Sequence, residues 1–157
     1  RAVEPRIAIV LVGIFDDSNN PQNALLWQTR KMLDRIAAAL DVFDGGLRQI
    51  AGNDPRTAFF DDRAAFRHRW GGRDDAGRPA YRPVDIGGKR SIRHAVGDHP
   101  INATLADGHA GTASNALWAA DLVELMRTRW AMPLTPIKDR EIVGLVDPEG
   151  KFGIAGK

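Results

Sequence analysis

Residues 6–15 read RIAIVLVGIF, apolar at consecutive positions and rich in β-branched side chains. Such a run predicts a strand covered on both faces, as in a sheet packed between helices. Asp16-Asp17-Ser18-Asn19-Asn20 predicts a turn, and Asn20-Pro21 predicts a helix start with Pro in the first turn. Leu25, Leu26, Thr29, Met32, Leu33, Ile36 and Leu40 then recur at spacings of three and four. They predict one apolar stripe on a helix that ends near Leu40, ahead of the breaker Gly45-Gly46. A short helix is expected from Asp61 or Asp62 to Trp70, stopped by Gly71-Gly72. A longer one is expected over 113–130, striped by Trp118, Leu122, Leu125, Met126 and Trp130.

Residues 71–90 are rich in Gly and Pro and predict a long loop with at most a short strand near 81–86. Residues 101–105 predict another strand. In the tail, residues 142–146 and 151–155 flank Asp147-Pro148-Glu149-Gly150, a type I turn signature, and predict a β-hairpin. The order of elements predicts an α/β or α+β fold: a mixed sheet with helices packed on it and a C-terminal β-hairpin. Ile7, Ile9, Leu11, Leu26, Leu33, Ile36, Leu122 and Leu125 are the expected core.

Composition narrows the class. The 157 residues suit a single globular domain over 1–157, and 43% hydrophobic content is that of a folded chain. The net charge of +2 comes from 22 basic and 20 acidic residues, interleaved as in Arg73-Asp74-Asp75. Without a concentrated basic face, nucleic acid is not an expected partner. The absence of cysteine excludes disulfides, thiolate zinc sites and thiol catalysis. The longest apolar run, nine residues over 7–15, is too short for a bilayer span. The expectation is a soluble chain, cytoplasmic or secreted after N-terminal processing.

Candidate chemistry concentrates in one stretch. His94, Asp98, His99, Asp107 and His109 lie within sixteen residues. Imidazole beside carboxylate can ligate a divalent metal or act as an acid–base pair. Asp16 and Asp17 follow the first strand, where paired carboxylates can hold a hard cation or simply shape the turn and cap the next helix. If the two regions met at the carboxyl ends of neighbouring strands, Asp16, Asp17, Asp107 and His109 would be the metal ligands. His94 and His99 would then be the catalytic acid–base groups. Gly-x-Ser-x-Gly, the P-loop and His-Glu-x-x-His are all absent, so Ser114 reads as a helix-start residue.

Asp107-Gly108-His109-Ala110-Gly111 resembles the Asp-Gly-His-Gly-Gly metal-binding turn of metal-dependent serine/threonine protein phosphatases, with Ala110 in place of a Gly. That resemblance covers five residues and implies a metal at Asp107; the family also carries acidic motifs along a longer chain than this one. Arg93-His94 followed by Asp107-Gly108 is similar to the C-terminal segment of certain bacterial pilin-like proteins, with a spacing three residues longer and without the apolar pilin helix. Two functions follow as expectations. One is a small hydrolase, metal-assisted through a divalent ion, with a His/Asp site in the 94–109 segment. The other is a non-enzymatic assembly subunit, a pilin-like filament or phage-particle protein, self-associating through the C-terminal hairpin.

Overall fold

A computed structural model describes residues 4, 6–27, 29–88 and 90–151. The first apolar run forms β1 (Ile9–Val12), which pairs in parallel with β2 (Thr57–Phe60), Ile9 opposite Thr57 and Val12 opposite Phe60. The crossover between them is α1 (Arg30–Gly52). A parallel pair needs such a connection because the chain must return to the same end of the sheet. The sequence from Asp61 folds next into α2 (Asp62–Trp70), capped by the Asp61 carboxylate, which accepts from the Ala64 N–H at 2.9 Å. A small antiparallel ribbon follows, β3 (Gly71–Arg73) with β4 (Pro79–Tyr81).

The main core lies further along the chain. β5 (Val84–Ile86) runs antiparallel to β6 (Arg90–Val96), and β6 runs parallel to β7 (Asn102–Thr104). Against this sheet pack α3 (Thr112–Trp130) and α4 (Asp139–Val146). Ile86 and Ile92 from the sheet are fully buried with Leu117 of α3 and Ile142 and Val146 of α4. Each such aliphatic side chain contributes about 1.5–3 kcal/mol of burial free energy. Gly111 makes the tight join between β7 and α3 possible. A Cβ there would sit 2.7 Å from the Asn102 carbonyl oxygen.

The α+β expectation holds; where a long loop was expected over 71–90 the chain forms β3, β4 and β5, and four further details differ. The first long helix does not start at Asn20-Pro21: residues 21–26 form successive turns, and the helix begins at Arg30 with the Thr29 hydroxyl as its cap. Arg73 ties this turned segment down, its guanidinium donating to the Ser18 and Ala24 carbonyls at 2.5 and 2.8 Å. At its other end α1 passes through Gly45-Gly46 and continues to Gly52. The buried Asp44 carboxylate anchors that stretch by accepting from the Ile14 N–H and the Arg63 guanidinium.

The C-terminal β-hairpin is the third difference. Residues 142–146 are the end of α4, because Ile142 and Val146, one turn apart, both face the core. The turn at Asp147 is real, with the Gly150 N–H donating to the Asp147 carbonyl at 3.1 Å, but it follows a helix. Residues 152–155 of the expected second strand lie outside the described residues. The fourth is the expected core. Ile7 and Ile9 are 49% and 38% exposed, Leu26 is 65% exposed, and Leu11, Leu33, Ile36, Leu122 and Leu125 are half-buried. The core instead belongs to the 84–117 sheet–helix region and α4, and β1 is incompletely covered on both faces, with Ile9 exposed on one and Val12 on the other.

Candidate functional site

The loop after β1, the start of α2, strand β6 and the first turns of α3 surround one cavity of about 510 Å³. That is the size of a small-molecule site. Phe15, Phe66, Trp70 and Trp118 give it aromatic walls. Its polar lining includes Asp17, Asp62, Arg69, His94, His109 and Asp121.

Loop 16–27 is pinned in place before it reaches the cavity. Asp16 accepts from the N–H and hydroxyl of Ser18, at 3.0 and 2.6 Å, and so turns the chain. Asp17 accepts from the Asn23 amide at 2.7 Å. Tyr81 donates its hydroxyl to the Asn19 side chain at 2.7 Å, and the Asn20 amide donates to the Gly108 carbonyl at 3.3 Å. Gly108, with φ of +91°, is where the two loops meet: a Cβ there would fall 2.3 Å from the Gln22 Oε1.

His94 sits in an aromatic box. Its ring stacks on Tyr81 at 3.8 Å and meets the edges of Phe66 and Trp70 at 5.8 and 5.9 Å. Nε2 contacts the Asn19 carbonyl at 2.8 Å, which makes that nitrogen the donor. Burial is the main force lowering its pKa from 6.5 to about 4, and the Arg73 charge adds to it. His94 is therefore a neutral, structural imidazole at neutral pH that holds the loop with its Nε2–H.

His109 is placed differently. The Asp107 carboxylate accepts from the His109 N–H at 3.0 Å and lies 3.1 Å from Nδ1 of the same residue. These contacts hold the Asp107 carboxyl below its usual value. They also make Nδ1 the protonated nitrogen, which leaves Nε2 as the basic one. His109 lines the cavity from the tight 105–110 turn, where the Leu105 N–H donates to the His109 carbonyl at 2.8 Å.

Asp62 is the group that sequence reasoning missed. Asp61 caps α2, so the second acid of the pair is left for another task. Asp62 is 7% exposed, and the Trp118 Nε1–H donates to its Oδ1 at 2.6 Å. Burial raises its pKa, and Asp44, Asp61 and Asp121 raise it further. The one sequence signal was the doubling of aspartate where a helix cap requires a single one. Asp121 is bound bidentately by Arg69, at 2.6 and 2.7 Å.

Of the residues expected to carry chemistry, Asp17, His94 and His109 line the cavity. Asp16, His99 and Asp107 do not, Asp107 acting only through His109. The four expected metal ligands do not form a metal centre. Among the described residues no group of three or more His, Asp or Glu is placed to hold a metal ion. The reason is local: Asp16 is consumed in its own turn and Asp107 in the His109 turn. Among the described residues no helix is long and apolar enough to cross a membrane. In comparisons with known proteins, no family model, curated protein or solved structure matches the chain.

Proposed function

We propose that the chain is a small hydrolase that uses this cavity as its substrate site and His109 as its acid–base group. The observation that carries the reading is His109 in the cavity lining, at its exposed rim, with the Asp107 carboxylate beside its ring. A carboxylate that fixes the tautomer and leaves Nε2 free is the arrangement a general base requires. In the proposed reaction His109 Nε2 removes a proton from water, and the water oxygen bonds to the electrophilic carbon of the substrate. The bond to the leaving group then breaks, and His109 returns the proton to it. Asp107 orients the imidazole and balances the charge it gains. The aromatic walls exclude bulk water from the substrate body.

The test is turnover of a panel of chromogenic esters and amides by the wild-type chain, His109→Gln and His99→Ala. Hydrolysis reduced about a hundredfold or more in His109→Gln, and retained in His99→Ala, supports the reading, because positioned acid–base groups contribute about 10²–10⁴ in rate. Equal turnover by all three proteins, or none by the wild type, rejects it.

A second reading, the assembly subunit, has its own observation. Ile7, Ile9, Val12 and Ile14 are at least 38% exposed on and around β1, although parallel strands are usually covered on both faces. The surface for self-association would then be β1, not the C-terminal tail.

A further inference from the structure

The cavity has a charge character as well as a shape. Arg69 and Asp121 neutralise each other within its wall. Asp17 and Asp62 remain as carboxylates that take no ion pair among the described residues, and His94 is uncharged. Asp62 is more than nine-tenths buried, and the Trp118 indole occupies Oδ1 alone. Its second oxygen accepts no hydrogen bond from any described residue. Asp62 lines the cavity, so that oxygen is available to a group inside it.

We propose that the cavity binds an organic cation, an ammonium or amidinium group on an apolar or aromatic body, with the charge on the free oxygen of Asp62 and the body against Phe66 and Trp118. This rests on the reading of the cavity as the substrate site and names its substrate class. The physical case is complementarity. A carboxylate in a poorly hydrated wall repels an anion and gains little from a neutral guest, but a cation restores the solvation it has lost. Ring faces add attraction for the same charge. An amidinium also donates through two parallel N–H groups, one of which Asp62 can accept while keeping its bond to Trp118. Burial raises the Asp62 carboxyl in the empty cavity, and a bound cation reverses that shift.

Calorimetric titration of the whole chain with benzamidine, its neutral isostere benzamide and the anion benzoate tests this directly. Benzamidine should bind saturably, benzamide about tenfold more weakly or worse, and benzoate not at all. Asp62→Asn should cost benzamidine about tenfold in affinity and leave benzamide unchanged. The three-probe comparison on the wild type needs no variant, so it stands even if Asp62→Asn folds poorly. Benzamide or benzoate binding as tightly as benzamidine, or no saturable benzamidine binding, overturns the proposal. Benzamidine selectivity without any hydrolysis would keep this proposal and end the hydrolase. His109-dependent hydrolysis of neutral esters without selectivity for benzamidine would do the reverse.

Discussion

The Trp118 indole donates to Asp62 at 2.6 Å and so joins the first turns of α3 to the first residue of α2 across the cavity wall. The same ring packs edge-on against Phe60, with centroids 5.8 Å apart. Trp118→Phe keeps an aromatic ring there and removes the donor. It should destabilise the chain by about 1–3 kcal/mol, the cost of leaving a buried acceptor unsatisfied. A loss near zero in urea denaturation would mean that water replaces the indole freely.

Asp62→Asn should do the opposite. The folded chain raises the Asp62 carboxyl, so the group favours folding below its unfolded value and ceases to as pH climbs through the raised one. At pH 7 the wild type bears the cost of a buried charge that the amide avoids. Thermal melts should place Asp62→Asn at or above the wild type at pH 7, with the difference shrinking towards pH 3. A variant melting far below the wild type at pH 7 would show that the charge is structural.

Asp44 and Arg63 form the buried ion pair that ties α1 to α2, with side chains 1% and 9% exposed and contacts of 2.7 and 2.8 Å. Arg63 also holds Asp41 at 2.7 Å. Arg63→Met leaves a buried carboxylate unpaired and should cost about 3–5 kcal/mol. Chemical denaturation measures this, and a cost under about 1 kcal/mol would contradict the packing described around α1.

His94 makes stability fall in acid. Its folded pKa of about 4 lies below the ordinary 6.5, so its contribution is full above 6.5 and is lost as pH drops towards 4. The gap is equivalent to at most about 3 kcal/mol, less where solvent screens the ring. His94→Phe should flatten the stability profile between pH 6.5 and 4. An unchanged slope would assign the acid sensitivity to other groups.

The sequence pattern located α2, α3 and the first strand closely, because caps and Gly stops are local signals. Asp61 and Gly71 bracket α2 in the structure as they do in the sequence. It failed where distant side chains decide the outcome. Nothing near Asn20 announces that Arg73 will take the Ala24 carbonyl, and nothing near Ile142 announces a core for a helix to face. Helical spacing of Ile142 and Val146 and strand-like β-branching coexist in one short segment, and tertiary burial selects between them. Two members of the histidine cluster, His94 and His109, line the cavity, and they differ in their surroundings. His94 stacks inside an aromatic box that only the fold assembles, whereas Asp107 and His109 pair through a turn legible from two residues of separation. Asp62 and the aromatic walls come from three elements far apart in sequence, so their convergence was not visible.

The assembly reading predicts a different behaviour from the same chain. Sedimentation at rising concentration should show association, and Ile9→Lys should weaken it by placing a charge among the exposed apolar side chains of β1. A wild type that stays monomeric at high concentration removes that reading and leaves the cavity as the functional feature.

The tryptophans report directly on ligand binding in the cavity. Trp70 and Trp118 line it, while the Trp130 Nε1–H is held by the Pro55 carbonyl at 3.0 Å, away from the cavity lining. In a chain with ¹⁵N-labelled indoles, titration with benzamidine should shift the Trp118 resonance most, because its N–H is bonded to the carboxylate that receives the cation. Trp70 should follow and Trp130 should stay fixed. Shifts confined to Trp130, or none at Trp118 up to saturating ligand, would contradict the account.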